Sequence, residues 1–84
     1  MRHRKYYDLS EVGRNMRIIR EQRHLSVEQV RRYLNLACSQ SIYKWECGKS
    51  LPQSDTLIAL CVFYRIDPLA LFGESIEDEY HNTS

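Results

Sequence analysis

Gln40, Tyr43 and Lys44 place an amide, a phenol and an ammonium close together in the stretch Cys38-Ser39-Gln40-Ser41-Ile42-Tyr43-Lys44-Trp45-Glu46-Cys47-Gly48-Lys49. At helical period these three fall mostly on one side, with Ser39 at the helix start, while Ile42 and Trp45 fall on the other and can face a core. Gly48 can take the positive φ that ends a helix, and Pro52 forbids its continuation. A short helix with an apolar underside and an outward row of hydrogen-bonding groups is what the major groove of DNA admits. The same pattern also describes an ordinary surface helix whose polar face is merely wet, so the rest of the chain must decide.

Other chemistries find less support. His3, His24 and His81 are scattered, no spacing suggests a nucleophile beside a base, and there is no Gly-rich phosphate loop, so the chain is not expected to be an enzyme. Cys38, Cys47 and Cys61 are an odd number with no close pair at ligand spacing, which argues against a disulfide framework or a zinc site, and no cofactor is expected. Cys61 lies in an apolar run and reads as a small core residue. Cys38 and Cys47 flank the candidate helix, where the readings are a redox role or, as is usual for a surface thiol in reducing cytosol, an inert one.

The elements that must position that helix belong to one domain, since 84 residues leave no room for a separate effector module. The longest apolar run, Leu57 to Phe63, is far too short to span a bilayer, and the basic Met1–Lys5 start is followed by no apolar signal core. The expected location is cytoplasmic. Net charge is only +1, but its distribution is uneven. Residues 1–49 hold eleven Lys or Arg against five acids, a balance of +6; residues 50–84 hold one Arg against six acids, a balance of −5. A basic half carrying the candidate helix is the asymmetry expected of a nucleic-acid footprint.

In chain order, residues 1–8 read as a basic N-terminal arm, 9–73 as the folded domain and 74–84 as an acidic tail, either frayed or an added half-helix. Asp8-Leu9-Ser10-Glu11 reads as a capping box, with Tyr7 and Val12 as its hydrophobic staple. Val12, Met16, Ile19 and the stem of Arg23 form one stripe, giving a first helix over about 9–23. Arg14, Arg17 and Arg20 fall off that stripe, where most arginines are solvated. Ser26 and Gln29 repeat the start signal for a helix over about 27–34, with Val30, Tyr33 and Leu34 inward, and Asn35 is a good left-handed stop. Short helix, tight turn and short helix with a polar outer face is the helix-turn-helix layout. A further helix spans about 54–64, capped by Gln53 or Ser54, with Leu57, Leu60, Cys61 and Tyr64 inward. Asp67-Pro68 starts a last one, ended by Gly73. The fold class expected is all-α with five helices.

Val12-Gly13-Arg14-x-Met16-Arg17-x-Ile19-Arg20, Leu25-Ser26, Leu34, Ile42-x-Lys44-Trp45-Glu46-x-Gly48-Lys49, Leu51-Pro52, Leu57-x-x-Leu60 and Ile66-Asp67-x-Leu69-x-x-Phe72 follow in this order. Over residues 9–72 the chain resembles the phage-repressor-like (Cro/XRE) helix-turn-helix family, and most closely its short bacterial members with Ile-Tyr-Lys-Trp-Glu in the recognition helix. The resemblance implies a five-helix lambda-repressor-like domain that reads DNA with its third helix. Base-facing positions would be Ser39, Gln40, Tyr43 and Lys44; phosphate contacts would come from Ser26, the backbone near Val27, and Lys49. It also implies an ion pair between Arg20 and Glu46. Val27 replaces a glutamine frequent at that place, Arg31 a packing alanine, Cys38 an N-cap Ser or Thr, and Asn35 a common glycine. The turn is one residue longer than in the best-known repressors.

The function expected is a sequence-specific transcriptional regulator, a repressor acting by occupancy. It would bind double-stranded DNA as a homodimer, since one small module offers few base contacts and two half-sites multiply specificity. The alternatives are an antitoxin whose acidic C-terminal region holds a toxin, or a protein-interaction module that has lost DNA contact. Dimerisation is expected through the C-terminal region, where Leu69 and Phe72 can be satisfied internally while Ile66, Leu71, Ile76 and Tyr80 look surplus.

Overall fold

The computed structural model describes residues 8–72. Its elements are α1 (Leu9–Gln22), α2 (Val27–Leu34), α3 (Gln40–Glu46) and α4 (Ser54–Tyr64). A fifth, α5, is helical over 69–72 at the edge of the described residues. The described residues contain no strand, and the fold is an all-helical helix-turn-helix domain.

Each start has a local cause. Asp8 caps α1 by accepting the Ser10 N–H at 2.9 Å. It does so without the reciprocal box that its spacing to Glu11 suggested, because Glu11 pairs instead with Arg14 at 3.2 Å. The staple residue Tyr7 lies outside the described residues. At α2 the box is complete: Ser26 Oγ accepts the Gln29 N–H at 3.0 Å, and Gln29 Oε1 accepts the Ser26 N–H at 2.8 Å. At α4 the cap position is Gln53, whose side chain makes no capping hydrogen bond. Asp67 opens α5 by accepting the Leu69 N–H at 2.9 Å.

The ends share one device. After α1, α2, α3 and α4 the chain turns left-handed at His24 (φ 57°), Asn35 (φ 58°), Gly48 (φ 80°) and Arg65 (φ 60°). Each time the next N–H reaches back across the turn: Leu25 to the Arg20 carbonyl, Leu36 to Arg31, Lys49 to Lys44 and Ile66 to Cys61, at 2.9 to 3.1 Å. Four Schellman closures therefore satisfy two of the orphan carbonyls at the end of each of the four helices, and a single one of them uses glycine. A Cβ at Gly48 would also press on Ser10 Cα at 2.8 Å.

The core gathers Val12 and Met16 from α1, Val30 from α2, Ile42 and Trp45 from α3, Leu60, Cys61 and Tyr64 from α4, and Leu71 from α5. Two inward assignments are corrected. Tyr33 is half-exposed (48%) because it sits on the flank of α2, where its ring stacks flat on Phe63 with centroids 4.0 Å apart. At α5 the roles are exchanged: Leu71 is buried (1%) and Leu69 is exposed (52%). The start at Asp67 turns Leu69 outward and brings Leu71 against α1, where Asn15 Nδ2 donates to the Leu71 carbonyl at 2.9 Å. Ile66 is likewise not surplus, since it packs against the core. Gly73, Ile76 and Tyr80 lie outside the described residues.

Candidate nucleic-acid interface

α3 has seven residues, too few to hold a helix unaided. Its start is also weak. The N-cap is Ser39, in αR geometry and without a side-chain capping bond, and Cys38 before it is exposed. Packing therefore fixes this helix. Ile42 is 1% and Trp45 8% exposed, and both face the core. Gly13 lets α1 approach to backbone contact: a Cβ there would strike the Trp45 carbonyl oxygen and come within 2.7 Å of that of Glu46.

The third restraint is electrostatic. Arg20 meets Glu46 as a fork, Nε to Oε2 at 2.7 Å and Nη2 to Oε1 at 3.1 Å, while its Nη1 donates to the Leu25 carbonyl at 2.9 Å. The two side chains are only 12% and 7% exposed. The hydrogen bonds it donates to Glu46 raise the Arg20 pKa above its ordinary value, against the opposing effect of burial. A permanently charged pair out of water is costly unless its hydrogen bonds are satisfied, and this one is geometrically bidentate.

With the underside fixed, the outer face follows. Gln40, Tyr43 and Lys44 are exposed on α3, and Ser39 is half-exposed at its start. Gln40 and Lys44 are one turn apart on the same face. Ser26 is exposed at the start of α2; its Oγ accepts the capping bond, which leaves its O–H able to donate. Val27 is half-buried with its side chain against the core, leaving the backbone of the first turn of α2 as the group it can offer. Lys49 is exposed immediately after the α3 closure. The four candidate base readers thus share one helix and its cap, while the phosphate candidates stand at the start of α2 and just beyond α3.

Arg31 takes a role that hydrophobic periodicity does not indicate. It forks Glu28 (Nε to Oε1 3.0 Å, Nη2 to Oε2 2.6 Å) and donates from Nη1 to the Leu36 carbonyl at 2.9 Å, inside the turn between α2 and α3. Its hydrogen bond holds the Glu28 carboxyl below the usual range, and the Arg31 pKa is raised in turn. The arrangement repeats the α1–α2 corner, where Arg20 donates to Leu25. The signal available in the sequence was Glu28 three residues before Arg31, a helical ion-pair spacing. Periodicity places only the stem of Arg23 on the α1 stripe, yet its Nε donates to the Tyr64 carbonyl at 2.7 Å, at the end of α4.

Among the described residues no group of His, Cys, Asp or Glu could hold a metal ion, and no helix is long and apolar enough to cross a membrane. Cys38 and Cys47 are exposed and Cys61 is buried; all three are free thiols.

The fold and the exposed face of α3 define a small helix-turn-helix domain. Solved structures of the same shape include the restriction-modification controller protein C.AhdI from Aeromonas hydrophila, with 24% identity, TM-score 0.69, and cover of 79% of this chain and 98% of that one. The DNA-binding domain of BldD matches with 23% identity, TM-score 0.65, and cover of 76% and 92%. The clp gene regulator ClgR from C. glutamicum matches with 12% identity, TM-score 0.71, and cover of 88% and 95%. No family model and no curated protein matches the chain.

Proposed function

We propose that this chain is a sequence-specific regulator of the Cro/XRE type that binds double-stranded DNA as a homodimer and represses by occupancy. The observation that carries the reading is the two-sided character of α3. One face is pinned to α1 by Trp45, Gly13 and the Arg20–Glu46 fork, and the other presents Gln40, Tyr43 and Lys44 to solvent. Such a helix delivers polar groups to a groove in fixed orientation. A glutamine amide can accept from adenine N6 and donate to N7 together, and lysine can donate to guanine O6 and N7. Ser39 and Tyr43 complete the base-reading set, while Ser26, the Val27 backbone N–H and Lys49 hold phosphates and set register. The neighbours support this reading by their own descriptions: a restriction-modification controller, a DNA-binding domain and a gene regulator. In this reading residues 9–73 are the DNA-binding domain, flanked by the basic arm 1–8 and the acidic tail 74–84, and the protein acts in the cytoplasm without a cofactor.

Selection of bound sequences from a random DNA pool tests binding, site length and symmetry together. The expected result is a site of two inverted half-sites about one helical turn apart, roughly 10 base pairs centre to centre. Failure to enrich any sequence, with a folded protein, overturns the reading.

A further inference from the structure

The C-terminal residues expected to pair two copies do not offer that surface within the described chain: Leu71 is buried and Ile66 packs on the core. An exposed apolar row lies elsewhere. α4 is apolar around most of its circumference, yet Ile58 and Val62 remain 60% and 62% exposed, the two most exposed large apolar side chains among the described residues. Counting about 100° per residue, Asp55, Ile58 and Val62 occupy one sector of about 60° on α4, away from the buried Leu60, Cys61 and Tyr64, and Arg65 follows as its left-handed cap. Asp55 and Arg65 are exposed, and neither has an ion pair with another described residue.

The row is symmetric about the level of Leu60. Ile58 and Val62 stand about 3 Å on either side of that level and Asp55 about 7.5 Å before it, at the helical rise, while Arg65 caps the opposite end of α4. A two-fold axis through that level, running α4 antiparallel to a second α4, sets Ile58 against the partner's Val62. The same operation sets Asp55 against the partner's Arg65, twice over. Opposite charges at mirrored ends of an apolar pair are self-complementary under this operation and under no parallel one, which would face Asp55 with Asp55. We propose that this face of α4 is a homodimer surface whose occupant is a second copy of this chain in antiparallel register. It deepens the regulator reading by supplying the symmetry that two inverted half-sites need, and rests on that reading only for its consequence on DNA. The patch is smaller than a stable interface of about 1,200–2,000 Å², so the free protein pairs weakly and a two-half-site DNA strengthens the pairing through effective concentration.

Sedimentation of the full chain from low micromolar to near-millimolar concentration tests this without DNA. The expected result is a reversible monomer–dimer equilibrium that Ile58→Lys shifts at least tenfold toward monomer, with the helical circular dichroism unchanged. Charge reversal tests the register. Asp55→Arg alone places two cations on the row and Arg65→Asp alone two carboxylates, so each variant self-repels, whereas an equimolar mixture of the two restores dimer as the heterodimer. Both sites are solvent-exposed, so these variants fold. A strictly monomeric wild type, or a dimer indifferent to Ile58→Lys, overturns the proposal; a mixture that associates no better than its components overturns the antiparallel register. If selected DNA is found, Ile58→Lys keeps affinity for a single half-site and loses the gain from two. A dimer with these properties that enriches no DNA sequence would instead sink the DNA-binding reading and leave the surface standing.

Discussion

Arg20→Ala is the perturbation that asks most of the fold. It deletes three charge-assisted hydrogen bonds, of 2.7 and 3.1 Å to Glu46 and 2.9 Å to the Leu25 carbonyl, and strands a carboxylate that is 7% exposed. Because both side chains are largely shielded, at 12% and 7% exposed, screening by solvent gives no large discount. Removing one member of a buried pair costs about 3–5 kcal/mol, and we take about 3 kcal/mol because the truncated side chain lets water reach the edge where Arg20 was 12% exposed. A domain of this length holds roughly 4–13 kcal/mol in all, at 0.05–0.15 per residue, so the loss is a large share. It corresponds to a fall in Tm of about 12–24 °C, at 4–8 °C per kcal/mol for small domains. Urea unfolding followed by emission of Trp45, the chain's one tryptophan, reads the change directly. The charge itself is not what stabilises: Arg20→Met with Glu46→Leu should recover most of the loss, since apolar packing commonly replaces a buried ion pair at no net cost. A cost below about 1 kcal/mol for Arg20→Ala at unchanged m-value, or a double variant no better than the single, would refute the reasoning.

The remaining predictions touch separate parts of the fold. Gly13→Ala should cost about 3 kcal/mol or more, because the new Cβ meets backbone of α3 and not a movable side chain; denaturation gives the magnitude, and a change under about 1 kcal/mol would contradict the close approach. His24→Gly should stabilise by about 0.5–1 kcal/mol by relieving a non-glycine residue at φ 57°, whereas Asn35→Ala should destabilise by a similar amount; both are read as shifts of the urea midpoint. Burial pushes the Tyr64 phenol, and likewise the Cys61 thiol, above their ordinary pKa values. The folded state therefore holds protons that the unfolded state releases first, so stability is full below the unfolded pKa values and falls as pH rises above about 9. Tyr64→Phe should flatten that alkaline decline in unfolding free energy; an unchanged slope counts against it. On a selected DNA site, Gln40→Ala should cost about 1–3 kcal/mol on that site alone and relax one base pair, while Lys49→Ala should weaken all sequences about equally and lower the salt slope by about one, both read by titration at several salt concentrations.

Local chemistry made most of the helix boundaries legible. Ser26 and Gln29 form their box from sequence-adjacent groups, and Asn35 and Gly48 take the left-handed turns their types favour. The faces of α3 followed from period alone, with Ile42 and Trp45 in and Gln40, Tyr43 and Lys44 out. What sequence missed depended on distant partners. Tyr33 lies outward because Phe63, thirty positions later, provides a ring to stack on. His24 and Arg65 are neither glycine nor asparagine, the types that signal a left-handed stop, yet the closures that turn the chain there place them at positive φ. Leu69 and Leu71 exchange roles because the start of α5 at Asp67 sets its phase. The Arg20–Glu46 contact spans 26 positions, and periodicity left Arg20 with the solvated arginines; only the family resemblance joined the two.

These contacts explain how a seven-residue helix without a side-chain cap can present a fixed face. Local propensity holds it poorly: Cys38 and Ser39 leave its first N–H groups without a side-chain acceptor. The restraints come from α1 and lie on the opposite side of α3 from Gln40 and Lys44. Gly13 sets the separation, Trp45 the rotation about the axis, and the Arg20–Glu46 fork the position of the last turn. Arg20 also grips the Leu25 carbonyl, and Arg31 grips Leu36, so the corner leading into the helix-turn-helix and the turn within it are both tied by guanidinium groups on the helix before them. Under the proposed function, loosening α1 should therefore blur base discrimination before it abolishes binding. Phosphate contacts tolerate a displaced helix as long as charge remains near the backbone, whereas bidentate base contacts lose their geometry within about an ångström.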